Sequence, residues 1–162
     1  MKFVFEKHNS ICSGKKILFL DRDGVVIKDT GYPHKENEIQ FNFKIIQKLI
    51  TFKKTHNIGI VGFVTNQSGV ERGFFSEKQF WGTHLFIIDK CVQMGMQINF
   101  TCVNFFKSHN FYRKPSNGMI IHALKYYSGY KKKSIMVGDK ETDKIAAKKS
   151  NLLYYDVEKF NN

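Results

Sequence analysis

Two carboxylates stand two positions apart in FLDRDGVV (19–26), Asp21 and Asp23, at the end of an apolar run and just ahead of Gly24. Asp and Gly are turn residues, so a turn is one reading. The other is a site that wants two acids close together, held by a cation or tuned apart for acid and base work. Other segments carry compatible groups. SIMVGD (134–139) ends in a third acid, Asp139, and IGIVGFVTN (58–66) ends in Thr65 and Asn66, a hydroxyl and an amide. YRKPSNGM (112–119) supplies Arg113 and Lys114 beside Pro115. Acids from 21, 23 and 139 could share a hard cation, since Mg2+ takes oxygen ligands at about 2.0–2.1 Å and keeps several waters. Metal, carboxylate nucleophile, hydroxyl donor and cationic clamp are the parts of phosphoryl transfer, whose catalysis is mostly positioning and charge neutralisation.

Those groups act together only if the fold brings them together. The chain alternates apolar runs with helix-like segments. Strands are expected at 16–21, 58–66, 98–106, 134–139 and 152–157, and helices at 43–56, 76–95, 118–127 and 141–150. Ser76 and Gln79 form a possible capping box. Strands that read as continuous apolar runs are covered on both faces, which marks a parallel sheet. The alternation therefore predicts an α/β, doubly wound, Rossmann-like parallel sheet with helices on both faces. In such sheets ligands bind at the carboxyl ends of the strands, where Asp21, Thr65 and Asp139 all fall.

Composition narrows the function classes. A chain of 162 residues is expected to form one domain over 1–162. No apolar stretch approaches the roughly 20 residues of a membrane span, and MKFVFEKHNS lacks the apolar segment of a signal peptide, so a cytoplasmic protein is expected. Cys12, Cys91 and Cys102 lie far apart without a CxxC, which argues for free thiols rather than a disulfide framework. The net charge of +12 would suit anionic ligands, but the lysines are scattered. They read better as solvated faces than as a nucleic-acid groove.

DRDGVV, VTNQSG, RKPSNGM and VGDKETD resemble, in order, the four motifs of the haloacid dehalogenase-like phosphatases. The resemblance runs from about residue 17 to residue 151. It is closest to the group holding the D,D-heptose 1,7-bisphosphate 7-phosphatases and histidinol-phosphatases, with GYPHKENEIQF (31–41) similar to that group's substrate loop. The resemblance implies Asp21 as the nucleophile that forms an aspartyl phosphate and Asp23 as the general acid, then base. It implies Mg2+ on the Asp21 carboxylate, the Asp23 backbone carbonyl and Asp139. Thr65 and Lys114 would hold the transferring phosphoryl group, and Arg113 would recognise substrate. Asp29, Thr30, Gly31, Tyr32, Asn66, Gln67, Ser68 and Lys140 would contact the rest of it. Asp143 would be a neighbour that orients Lys114, although a first-turn acid favoured by the helix dipole is nearly as good an account.

The implied activity is Mg2+-dependent hydrolysis of a small sugar phosphate, foremost D-glycero-D-manno-heptose 1,7-bisphosphate at its 7-phosphate, in assembly of a bacterial surface polysaccharide. Alternatives are a histidinol-phosphate phosphatase, a polynucleotide 3′-phosphatase, to which FYRKPSNGM and TNQSGVERG are also similar, and a binding protein on an inactive phosphatase fold. A monomer without nucleic-acid or membrane partners is expected. Many relatives in this group carry a zinc-binding Cys/His loop before the third motif, whereas here residues 102–113 offer only Cys102 and His109, so no zinc is expected. The chain also leaves no room for a separate cap domain, so loops must cover the site. His34 lies in the substrate-loop segment, while His84 and His122 read as packed or surface residues within helices.

Overall fold

The computed structural model describes residues 3–10 and 15–161; Cys12 lies outside the described residues. Six strands, β1 (Phe3–Lys7), β2 (Ile17–Leu20), β3 (Ile60–Asn66), β4 (Phe100–Asn104), β5 (Ile135–Gly138) and β6 (Leu153–Asp156), form one sheet in the order β1-β4-β3-β2-β5-β6. Helices α1 (Phe43–Thr55), α2 (Glu77–Gln93), α3 (Gly118–Tyr126) and α4 (Glu141–Lys149) make the crossovers. All neighbours are parallel except β1, which runs antiparallel to β4 with Phe3 opposite Asn104 and Lys7 opposite Phe100. The sheet is thus mixed at one edge, which the motif-bearing strands did not announce. Phe3 and Phe5 pack on the core beneath the sheet and carry this strand onto the edge of β4.

Alternation along each strand divides the core between the two faces. Leu18 and Leu20 of β2 pack with Ile45, Ile46 and Leu49 of α1 and Ile87 and Ile88 of α2. Ile17 and Phe19 face the other way, onto Met119, Ile120 and Ala123 of α3 and Ala146 and Ala147 of α4. Every residue of β2 is fully buried, as a strand covered on both faces must be. The Ser76–Gln79 capping box forms at the start of α2, with Gln79 N–H donating to Ser76 Oγ at 3.2 Å and Ser76 N–H to Gln79 Oε1 at 2.8 Å. Among the described residues no helix is long and apolar enough to cross a membrane.

The strand order places the site. From β2 the chain steps to β3 and β4 on one side, then crosses back to β5 on the other, so β2 is the topological switch point. Leu20 lies opposite Phe63 of β3 and Val137 of β5. The residues just beyond, Asp21, Thr65 and Asp139, therefore leave the sheet at nearly the same level. In open α/β sheets that crevice is where ligands bind.

Candidate active site

Backbone geometry first brings the acids together. Asp21 N–H still donates to Val137 O at 3.1 Å, which ties it to the sheet. Gly24 follows with φ of +87°, and a Cβ there would collide with the Asp139 carboxylate. A Cβ on Gly138 would likewise strike the Asp143 side chain. Glycine at position 24 lets Asp139 approach the loop after β2, and glycine at position 138 lets Asp143 approach the end of β5. One carboxylate oxygen each from Asp21, Asp139 and Asp143 then falls within 4.8 Å of the others, the only such group of three metal-ligating side chains among the described residues.

Lys114 sits against this cluster, almost fully buried. Its Nζ is 2.6 Å from Asp143 Oδ1 and 3.0 Å from Asp21 Oδ1. Burial alone would lower the Lys114 pKa, but Asp143 and Asp21 more than offset it and hold the ammonium above its ordinary range. Asp143 Oδ2 accepts from Lys140 N–H at 3.1 Å, so both its oxygens are engaged: it closes the first turn of α4 and grips Lys114. One residue thus makes both the helix-start contact and the Lys114 contact.

The Asp21–Asp139 pair is built differently. Asp21 Oδ1 accepts from Arg22 N–H at 2.8 Å and from Lys114, contacts that do not use Oδ2. Asp139 Oδ1 is buried without a hydrogen-bond partner. Burial, and then the neighbouring acids Asp143 and Asp23, push the Asp21 carboxyl up to about 7 against the pull of Lys114. Burial raises Asp139 as well. A buried acid beside a half-buried one that has an orphaned oxygen is a donor set that a hard divalent cation would satisfy.

Asp23 takes a separate place. Its Oδ1 accepts from Arg22 Nη2 at 2.9 Å, and its Oδ2 from Arg22 Nε at 3.0 Å and Gln67 Nε2 at 2.7 Å. Gln67 Nε2 also donates to Thr65 Oγ1 at 2.8 Å. Thr65 is buried at the end of β3, beneath Gln67. Asn66 braces the loop that carries Lys114: its Nδ2 donates to Lys114 O at 3.0 Å and its Oδ1 accepts from Lys114 N–H at 3.2 Å. Arg113 Nη1 donates to Phe106 O at 2.7 Å, which sets the guanidinium at the rim.

Some of these groups line a cavity of about 390 Å³. Asp21, Asp23 and Lys114 line its floor, with Asn66, Gln67 and Ser68 from the loop after β3 and Arg113 and Lys140 at its sides. Asp29, Gly31 and Tyr32 come from the loop after β2. That loop is latched by Lys140, whose Nζ lies 2.7 Å from Asp29 Oδ2. Burial would raise Asp29, but Lys140 and the Gly31 amide hold it below its ordinary range. The lining also includes Thr142, on which no motif drew attention. Thr30, Thr65 and Asp139 are not among its walls, and Asp139 faces an adjoining cleft with Lys140 and Tyr154.

The remaining candidates fall elsewhere. His34 stacks on Phe75 and contacts Tyr32 O through Nδ1 at 2.8 Å, within the loop after β2. His84 is fully buried against Phe80 and Thr101, and burial holds it well below its ordinary pKa, hence neutral. His122 packs on Phe3 and Phe5. Cys91 and Cys102 are buried free thiols; Cys102 Sγ faces Met119 O, while His109 Nε2 lies 3.3 Å from Ser116 Oγ. The residue that motif reading passed over is Arg22. It is 1% exposed, and only its position between two acids could have signalled it.

Comparison with known proteins agrees with this picture. The profile of the family described as Polynucleotide kinase 3 phosphatase matches residues 16–159. The chain is 35% identical over 156 residues to the D-glycero-alpha-D-manno-heptose-1,7-bisphosphate 7-phosphatase of Photorhabdus laumondii, covering 90% of this chain and 81% of that protein. A solved structure from Mesorhizobium loti, described as a HAD-like phosphatase, superposes with a TM-score of 0.85 at 27% identity, over 93% of this chain and 77% of that one. The D,D-heptose 1,7-bisphosphate phosphatase of B. bronchiseptica, solved with magnesium and phosphate, superposes with a TM-score of 0.77 at 25% identity, over 86% and 78%.

Proposed function

The chain belongs to the haloacid dehalogenase-like phosphatases, in the group of the heptose-1,7-bisphosphate 7-phosphatases, and from that premise we propose that it hydrolyses the 7-phosphate of a heptose 1,7-bisphosphate with Mg2+ and an aspartyl-phosphate intermediate. The observation that carries this reading is the meeting of Asp21, Asp139 and Lys114 at the switch point of the sheet. Asp21 and Asp139 would hold the cation with the Asp23 backbone carbonyl, and Asp143 would serve Lys114 instead. Magnesium, when bound, neutralises charge on the phosphoryl oxygens.

In the first step an Asp21 carboxylate oxygen attacks phosphorus, the bond to the sugar oxygen breaks, and Asp23 gives that oxygen its proton. In the second, Asp23 takes a proton from water as the water attacks phosphorus. The Asp21–phosphorus bond then breaks and inorganic phosphate leaves. Lys114 neutralises the transferring group, while Thr65, which lies outside the cavity, supports Gln67 from beneath instead of touching the phosphoryl group. Arg113, Lys140, Ser68 and the Asp29–Tyr32 loop would contact the sugar and the phosphate that remains. An open cavity with cations at its rim suits a small substrate carrying a second anionic group.

The family description favours a second reading, a polynucleotide 3′-phosphatase, and the net charge of +12 would suit it. A panel of both heptose bisphosphate anomers, histidinol phosphate and a 3′-phosphorylated oligonucleotide, each with Mg2+, separates the readings by released phosphate. The sugar bisphosphate should turn over fastest by at least about 100-fold, a gap of roughly 2.7 kcal/mol in transition-state binding. A faster oligonucleotide would replace the first reading with the second. Asp21→Asn should abolish turnover of every ester.

A further inference from the structure

The site contains one buried cation that the proposed chemistry does not use. Arg22 follows the nucleophile position directly, yet its side chain turns away from Asp21 and Asp139 and is 1% exposed. Its guanidinium lies over the Phe80 ring, 5.3 Å from the centroid. On its other side it meets Asp23 as a fork, Nε to Oδ2 at 3.0 Å and Nη2 to Oδ1 at 2.9 Å. Nη2 also reaches Gln67 Oε1 at 3.2 Å, and Gln67 Nε2 returns to Asp23 Oδ2 at 2.7 Å. Arg22, Asp23 and Gln67 thus close a ring of hydrogen bonds, and Thr65 joins it through Gln67. Nη1 is buried without a hydrogen-bond partner.

Such an arrangement is costly unless it does something. A buried ion pair is weak support for stability, because desolvation offsets its attraction. Its specific property is geometry. Two parallel N–H···O bonds fix the plane of a carboxylate, and a lysine could not do so. The Asp23 carboxylate is accordingly absent from the group formed by Asp21, Asp139 and Asp143, although it starts only two residues from Asp21. It still lines the cavity.

We propose that Arg22 is a positioning residue, which with Gln67 holds the Asp23 carboxylate out of the cation cluster and aimed at the leaving-group oxygen. The inference rests on the reading of Asp23 as the acid of the first step; Oδ2 accepts from two donors and Oδ1 from one, so the second lone pair of Oδ1 is the place for that proton. Proton transfer contributes about 10²–10⁴-fold when the leaving group needs a proton. A sugar alkoxide needs one; p-nitrophenolate does not. Loss of aim therefore has a signature that mere loosening of the fold lacks.

The test compares kcat/KM of the full chain with Mg2+ on an alkyl phosphomonoester and on p-nitrophenyl phosphate, for the parent, Arg22→Met, Arg22→Lys, Gln67→Leu and Asp23→Asn. Arg22→Met should lose about 10²-fold or more on the alkyl ester and under about tenfold on the aryl ester. Arg22→Lys keeps the charge without the fork and should fall between Arg22→Met and the parent. Should Arg22→Met fail to fold by near-ultraviolet circular dichroism, Gln67→Leu, which removes the second arm, decides by the same ratio. Equal losses on both esters, or none, overturn the inference when Asp23→Asn discriminates between them. If Asp23→Asn does not discriminate, the acid reading itself falls, and a parent that turns over neither ester removes both.

Discussion

Lys114→Met tests whether the buried charge cluster is held together as described. Lys114 Nζ lies between Asp143 at 2.6 Å and Asp21 at 3.0 Å, and all three side chains are at most 7% exposed. Methionine fills a similar volume but leaves two buried acids facing each other. Breaking a buried pair from one side costs about 3–5 kcal/mol. At roughly 2.1 cal/mol/K per residue, a chain of 162 residues unfolds with about 0.34 kcal/mol/K, so this loss lowers Tm by roughly 9–15 °C. The loss must also depend on pH. Burial already raises Asp21 to about 7 with Lys114 opposing it, and without Lys114 it rises further. A carboxyl raised in the folded state is neutral in both states below its unfolded pKa of 3.8, so no penalty exists there. As pH rises, the folded chain keeps a proton that the unfolded chain releases, and stability falls by up to about 1.4 kcal/mol per unit until the raised pKa is reached. The variant should therefore lose little at pH 4.5 and most at pH 8. The assay is thermal unfolding in EDTA across that range, so that no bound cation stands in for the ammonium. A loss under about 2 °C at pH 8, or the same loss at both pH values, would refute the electrostatic account. Lys114→Met with Asp143→Leu should recover part of the loss, since an apolar pair leaves one fewer buried charge.

In the parent without divalent cation, stability should fall as pH rises from about 4 to about 7, the window set by the raised Asp21 carboxyl. Saturating Mg2+ should flatten that fall, and its affinity should rise with pH in the same window by up to about tenfold per unit; a pH-independent affinity measured by calorimetry would contradict the raised carboxyl. Gly24→Ala forces a Cβ toward the Asp139 carboxylate at a φ of +87° and should cost about 1–3 kcal/mol while weakening Mg2+ binding; a variant with parental Mg2+ affinity would show that Asp139 needs no such approach. Lys140→Met releases the Asp29 latch. Both partners are partly exposed, so stability should change by under about 1 kcal/mol, while KM for a sugar phosphate should rise several-fold with kcat nearly kept; an unchanged KM would remove the latch from substrate binding.

Much of this protein was legible in the amino-acid order because its chemistry sits where regular elements stop. Continuous apolar runs announced β2 through β6, each within two residues of its observed start or end, and the acids, hydroxyl and cations just past those runs could be placed on one sheet edge. The Ser76–Gln79 box was equally local, since a helix end is closed by side chains three residues apart. What escaped was decided by packing at a distance. Phe3–Lys7 becomes a strand only because β4 offers an edge to it across nearly a hundred residues. The motif resemblance makes Asn66 and Gln67 substrate contacts, yet only the folded chain shows that Asn66 braces the Lys114 backbone and Gln67 holds Asp23. Arg22 shows the division most clearly. A charged residue beyond a strand reads as solvated, because desolvating a cation alone is prohibitive. It can be buried here only because Asp23, Gln67 and Phe80, the latter two from remote segments, surround it at once. The sequence alone determined which groups stand at the strand ends. Tertiary structure alone decided which way each one points, since orientation depends on partners the local pattern does not contain.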